Sequence, residues 1–130
     1  MEKNKRFTTG KIVKRENITH DLWKIWLKTE EKLNFEPGQY CTVGYEGIER
    51  PYSIASSPDE ELLELFIELV PEPHGVLTPL LFNLFEGEIV TVRKRAKGLF
   101  KFQESFKNQI MLTTVTGVAP IVSMMRAMNF

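Results

Sequence analysis

Arg50, Tyr52 and Ser53 sit in the run ERPYSIASSP, Glu49 to Pro58, and offer more chemistry than an ordinary strand needs. In extended chain, Arg50 and Tyr52 project to one face and Ser53 to the other. A guanidinium grips phosphate bidentately. A tyrosine ring stacks on a flat ligand and keeps a hydroxyl for a polar partner. Ser53 and an exposed strand backbone can bond to ring edges, and Pro51 removes a donor, which suits an edge strand. Together these groups suit a ligand with both phosphate and a planar ring. A surface strand with a salt-bridged Arg50 and a core Tyr52 would use the same residues, and the pattern alone leaves both readings open.

A second group lies in HGVLTPLL, from His74 onward. Gly75, Val76, Leu77 and Thr78 fall at the expected start of a helix, where unpaired N–H groups and the helix dipole favour an anion. Gly75 permits close backbone approach and Thr78 adds a hydroxyl, with a capping role in prospect. An ordinary capped helix is the simpler account of this segment by itself. An arginine on a strand together with a helix start is a rarer pairing, and it fits a pyrophosphate. The remaining reactive residues form no second site. Cys41, His20 and His74 lack metal-ligand spacing, and no Ser–His–Asp or paired-carboxylate arrangement stands out.

The elements that must position these groups are mostly strands. Phe7–Arg15 reads as the first. Leu22–Lys28 places Trp23, Ile25 and Leu27 on one face at strand period. EPGQ at 36–39 is turn chemistry, and a third strand follows through Tyr45. The Glu49–Pro58 run is the fourth. In ELLELFIELV, Leu63, Leu65, Ile67 and Leu69 face one side, with Leu62, Glu64, Phe66, Glu68 and Val70 opposite, which favours strand over helix. PEPHG is loop, VLTPLLFNLF is helix with Pro79 in its first turn, and Ile89–Arg93 and GLFKF are strands. The fold class is mainly β: a six-stranded antiparallel Greek-key barrel with one inserted helix. NQIMLTTVTGVAP then reads as an apolar strand and turn, and PIVSMMRAM as a helix. That β–α unit resembles the opening of an α/β domain. The expected division is a barrel over 1–107 and the truncated start of a second domain over 108–130.

The chain has 130 residues and a net charge of zero. Overall charge therefore gives no argument for nucleic acid or membrane. VRKRAKGLFKF, Val92 to Phe102, interleaves phenylalanines with cations, as a single-strand nucleic-acid groove would. A solvated strand pair with Phe100 or Phe102 in the core explains it better. The same positive stretch also suits docking of an acidic electron-transfer protein. One cysteine, no long apolar run and a charged N-terminus point to a cytoplasmic protein.

RPYS, GVLT and TGVAP, in that order, resemble the motifs of the ferredoxin–NADP reductase family, and the resemblance spans nearly the whole chain. It implies an FAD-binding barrel in an oxidoreductase that moves electrons between NAD(P)H and an acceptor such as ferredoxin. By that resemblance Arg50 holds the flavin pyrophosphate, and Pro51 within the motif and Ile54 directly after it are further cofactor-binding residues. Tyr52 stacks on the isoalloxazine and Ser53 bonds near the nitrogen that accepts hydride, so these two are the expected catalytic residues. Gly75, Val76, Leu77 and Thr78 present N–H groups to the pyrophosphate. Val70 lines the cofactor through its backbone, and Thr116 sits on the nicotinamide side. Two departures stand out: Thr113 and Val115 occupy positions where the family usually has glycine, and most of a nucleotide-binding domain is missing, leaving it to further chain or a separate subunit. The alternative from another class is a non-enzymatic small barrel that binds a ligand or single-stranded nucleic acid.

Overall fold

The computed structural model describes residues 6–128; residues 1–5 and 129–130 lie outside the description. Six strands form: β1 (Phe7–Asn17), β2 (Leu22–Thr29), β3 (Tyr40–Tyr45), β4 (Ile48–Ser53), β5 (Leu63–Glu68) and β6 (Ile89–Arg93). Two helices join them, α1 (Leu77–Phe82) and α2 (Val118–Met128). The strand order is β4-β3-β6-β1-β2-β5 and every pairing is antiparallel. β6 returns to lie between β3 and β1, the crossover that makes the sheet a Greek key. The two ends of the sheet meet through a single bridge, Ile54 to Leu65. The barrel is thus nearly closed, with a short and weak seam between β4 and β5.

The core follows the alternation in the sequence. Trp23, Ile25 and Leu27 are buried on β2, and Leu63, Leu65 and Ile67 on β5. Val43 and Cys41 on β3 and Val90 and Val92 on β6 complete the interior. Each aliphatic side chain buried in this way contributes about 1.5–3 kcal/mol relative to exposure. Helix α1 closes one end of the barrel by burying Leu77 and Leu81. Phe82 meets Trp23 edge to face at 5.2 Å. Arg15 holds the helix end: its Nη1 donates to the carbonyls of Phe82 at 2.7 Å and Leu84 at 2.6 Å. Its guanidinium also lies 5.0 Å from the Phe82 ring centre and 4.8 Å from that of Phe85.

Two expected strands do not form. In GLFKF only the preceding Lys97 touches the sheet, through a bridge to Tyr40. Gly98 then takes φ +118°, which turns the chain out of the sheet. Phe100 is more than half exposed rather than in the core. The second is the apolar run before TGVAP. Residues 108–114 are irregular, and Ile110 and Leu112 are each 90% exposed. A strand needs a partner for its backbone groups, and no described strand lies beside this run. The turn and helix that follow do form, as a 3-10 turn over Val115–Gly117 and then α2. Among the described residues, no helix is long and apolar enough to cross a membrane.

Candidate functional site

β4 is an edge strand. It pairs along its length with β3, Tyr40 facing Ser53 and Val43 facing Arg50. Its other edge meets β5 only at the Ile54–Leu65 bridge. β5 pairs with β2 and leaves its own far edge open in the same way. Between the two edges lies a cleft of about 330 Å³, lined by Pro51, Tyr52 and Ser53 on one wall. Phe66, Ile67 and Glu68 form the other wall, Val70 and Thr78 one end, and Thr116 and Gly117 the rim. The volume is within the range of small-molecule sites, about 300–1,000 Å³.

The end of the cleft is built by a self-clamped loop. The Val70 N–H donates to Thr78 Oγ1 at 3.0 Å, and the Thr78 hydroxyl donates back to the Val70 carbonyl at 3.2 Å. Gly75 lies against the same residue: a Cβ there would sit 1.8 Å from the Val70 carbonyl oxygen. The need for glycine comes from this contact within the loop. Thr78 also differs from its expected capping role. Val76 is the N-cap, no side chain caps the helix, and Thr78 is the second residue of α1. The Gly75 N–H donates to Pro71 at 3.0 Å, so it is not a free donor, whereas the first N–H groups of the helix itself have no intrahelical partner.

Tyr52 is half-buried against the core. Burial pushes its phenol up to about 12, while nearby Arg50 pulls the other way. The ring therefore stays neutral at physiological pH, as a stacking face must. Arg50 is exposed, and its Nη1 donates to the Glu49 carbonyl at 2.7 Å. Glu49 spends its carboxylate on Arg93, with bonds of 2.9 and 2.7 Å. Arg50 itself forms no salt bridge among the described residues, so the salt-bridged surface arginine of the simpler reading is not what is found.

The cleft therefore brings together Pro51, Tyr52, Ser53, Val70, Thr78 and Thr116 from motifs far apart in sequence. Arg50, Ile54, Gly75, Val76 and Leu77 do not line it. Ile54 and Leu77 are buried in the core, Gly75 packs on Val70, Val76 is exposed, and Arg50 precedes the lining run. Phe66, Ile67 and Glu68 are lining residues outside the sequence motifs, and Gly117 lies within TGVAP without having been singled out. Phe66 and Glu68 sit on the outward side of the β5 alternation, which was the available signal.

The lining suits a flat, polar-edged ligand: the aromatic rings of Tyr52 and Phe66, the hydroxyls of Tyr52, Ser53, Thr78 and Thr116, and two open strand edges. A nearly closed Greek-key barrel with this cleft at its seam defines a small-molecule-binding β module. Residues 9–102 match the oxidoreductase FAD-binding domain, and the chain belongs to that family. The flavodoxin/ferredoxin–NADP reductase of Escherichia coli is 32% identical over 126 residues, 92% of this chain and 50% of that protein. The ferredoxin–NAD(P)(+) reductase component of a Pseudomonas putida naphthalene 1,2-dioxygenase system is 29% identical, covering 93% of this chain and 37% of its own length. A ferredoxin NADP+ reductase from Neisseria gonorrhoeae, solved with bound FAD and NADP, superposes with a TM-score of 0.83 at 29% identity. That match covers 92% of this chain and 50% of the other. The chain thus spans about a third to a half of the length of such relatives.

Proposed function

We propose that this chain is the flavin-holding part of an oxidoreductase that passes electrons between NAD(P)H and a protein acceptor through FAD. The carrying observation is the cleft itself, which gathers Tyr52, Ser53, Thr78 and Thr116 from three separate sequence motifs, together with Val70, around one open seam. Bound there, FAD would supply the redox chemistry, and the protein would position and tune it. Tyr52 offers a neutral aromatic face for stacking. Ser53 offers a hydroxyl to the edge of the ring, and Thr116 a second hydroxyl from the rim. The guanidinium of Arg50, which forms no salt bridge among the described residues, and the N–H groups opening α1 are the groups suited to a pyrophosphate.

Residues 108–130 are, in this reading, the opening of a pyridine-nucleotide domain, completed by further chain or by a separate subunit. The exposure of Ile110, Leu112 and Met125 supports it, since an apolar segment of this kind needs a covering surface. NAD(P)H would be the co-substrate of the complete protein. The acceptor class follows from relatives named as reductases of ferredoxin or flavodoxin, an acidic electron-transfer protein being the steered partner. A cytoplasmic location fits this reading and a single buried cysteine, Cys41, that forms no disulfide.

Titration of FAD into the flavin-free chain, followed by visible absorbance and flavin fluorescence, tests the proposal. The chain should bind FAD, and Arg50→Ala should weaken binding roughly tenfold to a hundredfold, as expected for one lost charge-assisted phosphate contact. Failure of the unaltered chain to bind FAD would sink the reading. Equal affinity for the Arg50 variant would remove that residue from the site.

A further inference from the structure

Glu64 is 3% exposed, although its side of β5 otherwise faces outward. Helix α2 explains the burial. Arg126 on α2 donates to the Glu64 carboxylate, also reaches the Ala55 carbonyl at 3.5 Å, and lies 3.6 Å from Glu60. Lys24 approaches the other Glu64 oxygen at 3.4 Å. A second bolt lies one helical turn back, where the Ser123 hydroxyl donates to the Ser56 carbonyl at 2.7 Å. Ser56 Oγ in turn accepts from the Glu64 N–H at 3.1 Å, and the Ala55 N–H donates to the Glu64 carbonyl at 2.8 Å. All of these contacts fall at the place where β4 and β5 share only one bridge.

The position of these contacts relative to the cleft gives them a further consequence. Ala55 and Ser56 follow directly on Ser53 and Ile54, while Glu64 stands two residues before Phe66. Both walls of the cleft are therefore tied to α2, and α2 continues from the rim residues Thr116 and Gly117. A carboxylate buried beneath two cations is costly to desolvate, and removing a partner from such a cluster leaves an uncompensated buried charge. We infer that Glu64, through Arg126, is a positioning residue for the cleft: it staples α2 across the β4–β5 seam and so fixes the rim over Tyr52 and Ser53. The inference rests on the flavin reading for its ligand, but the staple itself is independent of it.

Two arms of one experiment separate those claims. In the flavin-free full chain, amide hydrogen exchange would be followed over residues 53–57 and 118–126, with β1 and β6 as internal references. Glu64→Gln should speed exchange in both segments by about tenfold or more and leave the reference strands unchanged. Ser123→Ala, a milder variant in case Glu64→Gln fails to fold, should do so to a smaller degree, and Arg126→Lys should fall between Glu64→Gln and the unaltered chain. In the second arm, visible circular dichroism of FAD at saturation should change in Glu64→Gln and return toward the original with Arg126→Lys. Unchanged exchange, or an equal rise in every strand, would overturn the staple. Local exchange gains with an unchanged flavin spectrum would overturn the positioning role. If the unaltered chain binds no FAD, the flavin reading fails, and with it the positioning of flavin, while the exchange arm still decides the staple.

Discussion

Gly75→Ala should cost this small domain a large part of its stability, although Gly75 bears no side chain and does not line the cleft. An added Cβ would lie 1.8 Å from the Val70 carbonyl oxygen, 2.7 Å from its carbon and 2.8 Å from the Val70 Cβ. Two of these are backbone atoms and cannot rotate away. Gly75 cannot retreat freely either, because its N–H donates to Pro71. Val70 must therefore move, and that breaks its two bonds with Thr78. Two neutral bonds are worth about 1–3 kcal/mol together at ~0.5–1.5 each. The forced shift adds about 1–3 kcal/mol, as overpacking does elsewhere. The expected loss is about 2–6 kcal/mol, against a total of about 5–15 for a folded domain. Urea unfolding measures it as a fall in midpoint at unchanged slope. Thr78→Val removes the bonds without the clash and should cost about 1–3 kcal/mol. The double variant should lose less than the sum, because both changes act through Val70. A Gly75→Ala protein within about 0.5 kcal/mol of the original, the level of an ordinary surface change, would refute this account of the loop.

Val115, half-exposed, takes φ +45°, so Val115→Gly exchanges about 1–2 kcal/mol of left-handed strain for about 0.5–1 kcal/mol of glycine entropy. The urea midpoint should hold or rise slightly, and a loss beyond about 1 kcal/mol would show that the valine side chain has a packing role. Burial pushes the Cys41 thiol and the Tyr52 phenol up to about 12. In the unfolded chain they release protons near about 8.5 and about 10. The folded state then holds more protons, so stability is full below the unfolded values and falls as pH climbs from about 8.5 toward 12. Urea midpoints at pH 7.5 and 10.5 check the direction, and an unchanged midpoint would contradict it. For the same reason the native thiol should resist a thiol-specific reagent at neutral pH until urea opens the barrel.

The barrel was legible wherever period-two alternation reports a half-buried strand. Trp23, Ile25 and Leu27, and then Leu63, Leu65 and Ile67, are read and buried as one face each. GLFKF carries the same alternation and fails as a strand. Alternation says which face would be buried, not whether a neighbour offers its edge. The edge of β3 is already taken by β6 at Val43 and Gly44, and by Lys97 at Tyr40. Residues 108–114 fail for the complementary reason: their apolar character is real, but no described strand lies alongside. Strand formation is thus a property of pairs, and a single segment encodes only half of it.

The candidate site divides along the same line. Tyr52, Ser53 and Thr78 come from local motifs whose residue types suggest a use, Val70 and Thr116 were marked only through the family resemblance, and the cleft gathers all five. Thr78 shows the limit, since its position was legible but its bonding was not. A hydroxyl near a helix start can cap the helix or clamp the preceding loop, and only the path of the loop selects between them. Val115 is the converse case. It was marked as a residue where the family usually has glycine, and its backbone does adopt the left-handed conformation that glycine takes readily. Glu64 is the residue that no local pattern could have flagged. On β5 it reads as one more outward-facing charge, and it would be one if β2 and β5 stood alone. It is covered where α2 lands on it, carrying Arg126 from 62 positions further along the chain, with Lys24 of β2 beside it. A charge of this kind becomes structural through tertiary contact, and the contact crosses the weakest line of the barrel, between the two strands that wall the cleft.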